Sequence, residues 1–375
     1  DALDCENIVA RWSGDEFQAL LPGVKSVEEA CRYAERMLSV MREPCEINGH
    51  SLIVSLSIGI AVSPVHGKNL ENLIDAADAA MYHAKRSGGS QIHVYSDALR
   101  AEAELAVMRE LEMRDALARN YFSLYFQPQL NCRDDADHAV EALIRWVDPR
   151  RGVILPGDFI PLAEQSDFIC DIGQWVILEA VKTIRAWRDR GLNVRISVNV
   201  APPQLQRVEF IPFIRACLSQ EGVPPELLEI EITETFAMTM DALIAERLRG
   251  LHDFGVSIAI DDFGTGYSNL ARLSRLPINR LKMDKSMIER VESSRPARTI
   301  AKSVIDLAHN LGFSCIAEGV ETAEQHNALN LLGCDALQGF HFARPMPAED
   351  AFAWLQDARG EPSPFLSPRA AKMNL

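Results

Sequence analysis

The sequence has no long hydrophobic run. Residues 52–62 form one of its most apolar stretches, and Ser55, Ser57 and Gly59 interrupt it. A helix needs about 20 consecutive apolar residues to span a bilayer, so we predict no membrane segment in this chain. No signal-peptide pattern opens the sequence either. With 47% apolar and 24% charged residues, the chain is predicted to be a cytoplasmic globular protein, and sensor or membrane domains of a longer protein would lie upstream.

Positive charge is also scarce, because 38 lysines and arginines face 53 acidic residues and the net charge is −15. This balance argues against a nucleic-acid duplex as the partner. The eight cysteines are scattered and show neither a CxxC pair nor a zinc-type spacing. We therefore expect reduced thiols and no zinc site.

Composition and periodicity divide the chain into two blocks. The first block covers residues 1–97, and an amphipathic helix with alternating charge is predicted over 98–118. The second block covers 119–358, and a loose tail containing Pro and Ser is predicted over 359–375.

The second block repeats one pattern, a short β-branched stretch followed by 10 to 15 residues of helical period. The predicted strands are 122–130, 139–146, 194–200, 228–233, 256–260, 280–283, 314–317 and 336–338. Helices are predicted between them, for example over 173–190, 240–254, 297–311 and 323–332. This alternation predicts an α/β fold, a closed (β/α)8 TIM-like barrel. An open doubly wound sheet is the alternative, and the lack of a GxGxxG turn after any strand weakens it.

Polar side chains lie in these strands or at their ends, where a (β/α)8 barrel builds its active site. They are Glu141, Asn199, Glu231, Glu234, Asp261, Asp262, Lys282, Asp284, Glu318 and Gln338. Carboxylates at close range need cations, and a set of oxygen ligands without His or Cys favours Mg²⁺ or Mn²⁺. Two adjacent aspartates point in different directions at a strand end, so one can bridge two ions, as in two-metal phosphoryl chemistry.

Each of these residues also has a structural interpretation. A single buried glutamate at a strand end is more often a salt-bridged structural residue, whereas the joint pattern is hard to explain by structure alone. The Asp261-Asp262-Phe-Gly stretch has the Asp-Phe-Gly of a kinase metal site, but the other kinase motifs are missing. The stretch is a glycine turn, a mobile loop over the mouth, or both.

At these residues the second block resembles the EAL family of cyclic di-GMP phosphodiesterases. The matching pieces stand in family order: Gln127-Pro128, Glu141-Ala-Leu with Arg145, PGDFIPLAE from Pro156, Asn199, Glu231-Ile-Thr-Glu234, Asp261-Asp262-Phe-Gly, Lys282-Met-Asp284, Glu318-Gly-Val-Glu321, Gln338-Gly339 and Arg344-Pro345. The resemblance implies hydrolysis of cyclic di-GMP to linear pGpG with two Mg²⁺ or Mn²⁺ ions. It also implies a homodimer formed through the barrel. The alternative is a catalytically silent cyclic di-GMP receptor of the same fold.

The resemblance further implies roles for individual residues. One metal would be held by Glu141, Asn199, Glu231 and Asp261, and the second by Asp261, Asp262 and Glu318. The catalytic residues would be Lys282, which positions the attacking water, Glu318 as general base, Asp262, and Gln338, which orients water or ligand. Substrate would be bound by Gln127, Arg145, Asp284, Gln338 and Pro345. Glu234 would anchor the 261–268 loop.

The first block resembles the C-terminal part of a GGDEF domain, a partial α+β nucleotidyl-cyclase-like fold. The motif stands as Ser13-Gly14-Asp15-Glu16-Phe17, with Ser13 in place of the first glycine. The upstream strand, metal aspartate and guanine-binding helix of the family are not in this sequence. We therefore expect a plain hairpin at the motif and no diguanylate cyclase activity.

Overall fold

A computed structural model describes residues 7–24, 26–41, 45–47, 50–52, 54–86, 89–132, 139–266 and 269–360. The chain divides into two compact units, residues 1–113 and 114–375. The helix predicted over 98–118 is observed as α3, Asp97–Ala118. The predicted tail falls, from residue 361 on, outside the described residues, and the predicted domain limits stay predictions.

The first unit is α+β, as predicted. Its strands are β1 Ile8–Ser13, β2 Glu16–Leu20, β3 Cys45–Ile47, β4 His50–Leu52, β5 Ile58–Ile60 and β6 Ile92–Val94. Its first two helices are α1 Val27–Met41 and α2 Leu70–Arg86. The strands pair as two antiparallel hairpins, β1–β2 and β3–β4, and one parallel pair, β5–β6. Ala30 and Ala34, one turn apart on α1, pack against Ile60 and Val62 in the core.

The GGDEF-like motif forms the turn of the first hairpin. Ser13 is paired with Glu16, so Gly14 and Asp15 make a two-residue connection. Gly14 has φ 49°, a value that favours glycine, and its carbonyl accepts a 2.8 Å hydrogen bond from Arg11 Nε. The expected hairpin is therefore observed.

The second unit contains the barrel. Its strands are β7 Phe122–Asn131, β8 Ala139–Asp148, β9 Gly152–Ile154, β10 Arg195–Asn199, β11 Leu228–Thr233, β12 Ser257–Phe263, β13 Arg280–Met283, β14 Ser314–Ala317, β15 Ala336–Gln338 and β16 Met346–Pro347. Its helices are α4 Ile160–Ala163, α5 Phe168–Asp189, α6 Pro202–Gln206, α7 Phe210–Glu221, α8 Glu234–Thr239, α9 Ala242–Phe254, α10 Leu270–Leu273, α11 Lys285–Ile288, α12 Arg295–Asn310, α13 Ala323–Leu332 and α14 Ala348–Gly360.

Eight of these strands close into the predicted barrel. The order is β7-β15-β14-β13-β12-β11-β10-β8, and β7 also pairs with β8. β8 and the strands from β10 to β15 run parallel around the barrel. In contrast, β7 is antiparallel to both neighbours, with Gln129 opposite Ala139 and Gln338 opposite Gln129. An all-parallel TIM barrel differs at this strand.

Along the barrel strands, outward-facing apolar side chains alternate with inward-facing polar side chains, so the barrel has a polar interior. Ile196, Val198, Ile230 and Ile258 are fully buried at the alternate positions, as expected for strands covered by helices. The inward positions carry buried polar side chains, namely Gln129, Glu141, Ser197, Glu229, Glu231 and Lys282. TIM barrels usually fill this space with branched apolar residues, so the polar interior marks a functional constraint.

None of the helices in the described ranges is long and apolar enough to cross a bilayer.

Candidate metal centre at the barrel mouth

Lys282 lies at the centre of the carboxylates that the sequence placed at the strand ends. Its Nζ is 2.7 Å from Glu231 Oε2 and 2.7 Å from Glu318 Oε1. It is also 3.2 Å from Asp261 Oδ1 and 3.6 Å from Glu141 Oε2. Lys282 and Glu231 are both 0% exposed. Five parallel strands, β8, β11, β12, β13 and β14, thus bring one ammonium and four carboxylates together in the barrel, with Glu318 directly after β14.

The carboxylates form two overlapping triads, defined by ligand oxygens that all lie within 4.8 Å of one another. The first triad is Glu141, Glu231 and Asp261, and the second is Asp261, Asp262 and Glu318. Asp261 belongs to both. This is the arrangement needed for two cations that share one bridging carboxylate.

A β-bulge explains how two consecutive aspartates reach the same triad. Neighbouring residues of a regular strand point to opposite faces. The β12–β13 register shifts between Ile260 and Phe263, and Asp262 adopts φ 55° in the left-handed region. Asp262 N donates a 3.0 Å hydrogen bond to Asp261 Oδ1. The bulge therefore turns both carboxylates toward the mouth, at the cost of backbone strain at Asp262.

Amide side chains complete the hydrogen bonding of Glu141. Asn199 Nδ2 donates to Glu141 Oε1 at 2.8 Å, which leaves the Asn199 carbonyl oxygen for another partner. Gln338 Nε2 donates to Glu141 Oε2 at 2.6 Å and to Gln127 Oε1 at 3.2 Å. The structure thus brings Gln127, Glu141, Asn199 and Gln338 into one network.

Burial controls the protonation of the cluster. Burial, with the charges of Asp261 and Glu141, raises the pKa of Glu318 to about 8 against the opposing Lys282 ammonium. Burial likewise raises the pKa of Glu231 well above its ordinary value. Burial alone would lower the pKa of Lys282, but the surrounding carboxylates outweigh it and hold that pKa well above its ordinary range. Lys282 is therefore a permanent cation, and the carboxylates need more positive charge to ionise fully.

Glu234 holds the loop that follows β12. It is 1% exposed, and its Oε2 accepts hydrogen bonds from Gly264 N at 2.8 Å and Gly266 N at 3.3 Å. Gly264 has φ 105°, which only glycine adopts without strain. Residues 267 and 268 of the predicted loop lie outside the described residues.

Three predicted substrate residues, Arg145, Asp284 and Pro345, lie apart from the hydrogen-bond network around Glu141. Arg145 is four residues beyond Glu141 on β8, buried, with Nη1 on the Ile144 carbonyl at 2.9 Å and the guanidinium over the Tyr125 ring. Asp284 caps α11, accepting from Ser286 N at 2.9 Å. Its charge adds to the effects of burial and of Asp261 in raising the pKa of Asp262. Pro345 directly precedes β16, which pairs with β7. Their binding roles stay predictions.

The cluster fits divalent cations. It offers hard oxygen ligands in two triads around a single lysine, and Glu231 Oε1 is buried with no hydrogen-bond partner in the described part of the chain. A buried, unsatisfied carboxylate oxygen costs free energy that a cation would offset. The donor set is that of Mg²⁺ or Mn²⁺.

One residue of this region was missed by the sequence analysis. Gln129 is 2% exposed and donates from Nε2 to Gln338 Oε1 at 2.9 Å. The signal was present, because Gln127 and Gln129 are two residues apart in one predicted strand and so share a face.

A closed barrel whose mouth holds two carboxylate triads around a buried lysine places the chain among (β/α)8 barrels with a candidate metal centre. Comparison of the sequence with models of protein families identifies the family within this class. Residues 110–345 match the family described as "EAL domain", and residues 1–91 match "Diguanylate cyclase, GGDEF domain". The chain belongs to the EAL family, and its barrel follows a GGDEF domain.

Curated relatives cover nearly the whole chain. Signaling protein YkoW of Bacillus subtilis is 40% identical over 344 residues, which is 91% of this chain and 43% of YkoW. The bifunctional diguanylate cyclase/cyclic di-GMP phosphodiesterase MucR of Pseudomonas aeruginosa is 37% identical over 93% of this chain and 51% of its own length. The cyclic di-GMP phosphodiesterase PdeR of Escherichia coli is 34% identical over 94% and 53%. The chain thus spans about half the length of these relatives.

Solved structures show the same fold. The MucR phosphodiesterase of Pseudomonas aeruginosa in complex with cyclic di-GMP matches with a TM-score of 0.62 and 38% identity, covering 65% of this chain and 99% of that one. The EAL enzyme Bd1971, in the form with cAMP and cyclic di-GMP bound, matches with a TM-score of 0.64 and 29% identity over 68% and 70%.

Proposed function

We propose that the barrel hydrolyses one phosphodiester bond of cyclic di-GMP to give linear pGpG, with two Mg²⁺ or Mn²⁺ ions. The observation that carries the proposal is the shared carboxylate of Asp261, which joins two triads at the barrel mouth. The proposal is supported by relatives named as cyclic di-GMP phosphodiesterases and by a related barrel solved with cyclic di-GMP.

The chain supplies ligands for two cations. Glu141, Glu231 and Asp261, with the carbonyl oxygen of Asn199, would hold the first ion. Asp261, Asp262 and Glu318 would hold the second. Bound divalent cations lower the pKa of water and neutralise charge on the phosphoryl oxygens.

Other groups at the mouth act on protons and charge. Lys282 keeps its proton and places a positive charge 2.7 Å from Glu318 Oε1, where it stabilises negative charge that develops beside the carboxylates. Glu318, a carboxylate of the second triad, would act as the general base that accepts a proton. Glu234 keeps the loop after Asp262 in place through two backbone amides.

The test is a product assay. The chain is incubated with cyclic di-GMP and Mn²⁺ or Mg²⁺, or with EDTA, and the nucleotides are separated by chromatography. We expect pGpG with metal and none with EDTA. A matched control is Asp262→Asn, which keeps the side-chain shape and removes one negative charge. If folded protein with metal binds cyclic di-GMP but forms no pGpG, the phosphodiesterase proposal is wrong and the chain is a catalytically silent receptor.

Two further expectations stay predictions, namely the homodimer formed through the barrel and the absence of cyclase activity. Sedimentation measures the first. Incubation with GTP, compared with an Asp15→Ala and Glu16→Ala variant, measures the second.

A further inference from the structure

Two buried glutamines and one glutamate form a directed chain of hydrogen bonds in the barrel. Gln129 Nε2 donates to Gln338 Oε1 at 2.9 Å. Gln338 Nε2 then donates to Glu141 Oε2 at 2.6 Å. Gln129, Gln338 and Glu141 are 2%, 4% and 6% exposed, so solvent does not compete for these contacts.

The direction of this chain depends on the orientation of each amide. A rotated Gln338 amide would place its carbonyl oxygen against Glu141 Oε2, where two acceptors repel. It would also turn its NH₂ group toward the NH₂ group of Gln129. Rotating both amides together removes the second conflict and keeps the first. The observed arrangement alone provides a donor at both contacts.

Apart from its contact with Gln338, the Gln129 amide makes no hydrogen bond in the described residues that would stabilise its own position. Its own carbonyl oxygen is buried with no hydrogen-bond partner in the described residues. It lines a cavity of about 50 Å³ at the opposite end of the barrel, together with Arg195 and Arg280. A buried, unsatisfied acceptor destabilises a fold, so the carbonyl group of Gln129 gives the fold no local advantage. The amide at 129 is therefore explained by its contact with Gln338.

We propose that Gln129 is a positioning residue of the metal centre. Its Nε2 and Gln127 Oε1, which accepts from Gln338 Nε2 at 3.2 Å, together fix the Gln338 amide with the donor toward Glu141. This holds the Glu141 carboxylate in the first triad with Glu231 and Asp261. The inference rests on the proposed function only in assuming that the triads bind divalent cations. Groups that orient metal ligands in this way typically change metal affinity by about 10–100-fold.

The experiment measures Mn²⁺ binding to the whole chain by titration calorimetry, without nucleotide. The variants are Gln129→Met, which keeps side-chain length without the amide, Gln129→Leu as a second apolar form, and Gln129→Glu. Ser197→Ala is the control, since its buried hydroxyl lies at a similar depth and has no partner in the described structure. Thermal unfolding in EDTA reports whether each variant folds.

We expect Gln129→Met and Gln129→Leu to weaken Mn²⁺ binding by about tenfold or more while unfolding near the parent temperature. Gln129→Glu should lose more, because a carboxylate at 129 accepts from Gln338 Nε2 and draws that donor away from Glu141. Ser197→Ala should bind like the parent.

A double-mutant cycle with Gln338→Leu isolates the proposed route. Once Gln338 has lost its amide, Gln129→Met should cause no further loss of affinity. Parent-like Mn²⁺ binding by the folded apolar variants, or an equal loss in the Gln338→Leu background, would overturn the proposal. A parent chain that binds no Mn²⁺ would overturn it together with the two-metal mechanism. A parent that binds Mn²⁺ without making pGpG would contradict the proposed function alone.

Discussion

Lys282 Nζ and Glu231 Oε2 are 2.7 Å apart, and both side chains are completely buried. The pair stands at the centre of the barrel mouth and connects β13 to β11. Removing one partner of a buried ion pair leaves an uncompensated charge, which is far more costly than losing a surface pair.

Lys282→Met is therefore expected to lower the free energy of unfolding by about 3–5 kcal/mol in the absence of divalent ions. Added Mg²⁺ should recover part of this loss, because the remaining carboxylates then bind cations. Urea unfolding in EDTA and in Mg²⁺ measures both effects. The control is Lys302→Met, which removes a half-exposed pair with Asp306 and should change stability by at most about 1 kcal/mol. Equal stability of both variants in EDTA would contradict the prediction.

Glu141→Ala and Glu318→Ala should differ in kind from Glu234→Ala. The first two remove proposed metal ligands, so activity should fall by several orders of magnitude at every Mg²⁺ concentration. Glu234→Ala releases Gly264 and Gly266 and misplaces Asp262, so excess metal should restore part of the rate by mass action. Metal titrations of the initial rate distinguish the two classes. Recovery of Glu141→Ala but not of Glu234→Ala would show that ligand and anchor are exchanged.

Metal binding should release protons below pH 8. The pKa of Glu318 is about 8 in the metal-free protein, so at neutral pH a cation must displace its proton. Apparent Mn²⁺ affinity should rise with pH and level off above about pH 8. Calorimetry in buffers of different ionisation enthalpy counts the protons. Mn²⁺ binding at pH 7 without proton release would show that Glu318 carries no proton in the metal-free protein.

The same raised pKa fixes the sign of the pH effect on stability. The folded metal-free protein keeps the Glu318 proton up to about pH 8, whereas the unfolded chain loses it near the ordinary value of 4.5. Folded protein thus binds more protons in this window, and its stability should fall as pH rises from about 4.5 to 8. Unfolding curves in EDTA measure this slope, and Glu318→Gln should reduce it.

Asp262→Gly should stabilise the metal-free fold while reducing activity. Asp262 has φ 55°, and glycine relieves a strain of about 1–2 kcal/mol in the left-handed region. Glycine also removes a carboxylate of the second triad. Asp262→Asn is the matched control, because asparagine tolerates the same φ and lacks the charge. Both should lose activity and both lose the repulsion with Asp261, so the relieved backbone strain should make the glycine variant the more stable of the two. Equal stability of the two variants would show that the bulge is unstrained.

Local sequence patterns were sufficient to predict the barrel strands. Each of the eight predicted strands overlaps its observed counterpart, because burial under helices demands β-branched runs whose ends are marked by polar residues. The fifth differs most, since it ends at 260 in the prediction and at Phe263 in the structure. Those added residues contain the bulge, which depends on pairing with β13 and has no local sequence signature.

Pairing between strands that are distant in the sequence determines which side chains meet in the site, and local sequence patterns do not predict this. The antiparallel course of β7 depends on contacts with β8 and β15, and it aligns Gln129 with Gln338. A strand pattern gives the face on which a residue lies but not its partner across the barrel. Likewise, the sequence placed Lys282 at a strand end, whereas its position among four carboxylates follows from the closed barrel.

The antiparallel direction of β7 also decides where the chain enters the barrel. Phe122 pairs with Trp146 near the carboxyl end of β8, so the first strand begins at the rim of the mouth. The last turn of α3 meets it there, with Tyr121 N bonded to Ala116 O at 2.9 Å and Asn120 at φ 58°. In an all-parallel barrel the entry point lies at the opposite end, about 20 Å away for strands of six residues. Here the chain enters the barrel at the end that carries the two carboxylate triads.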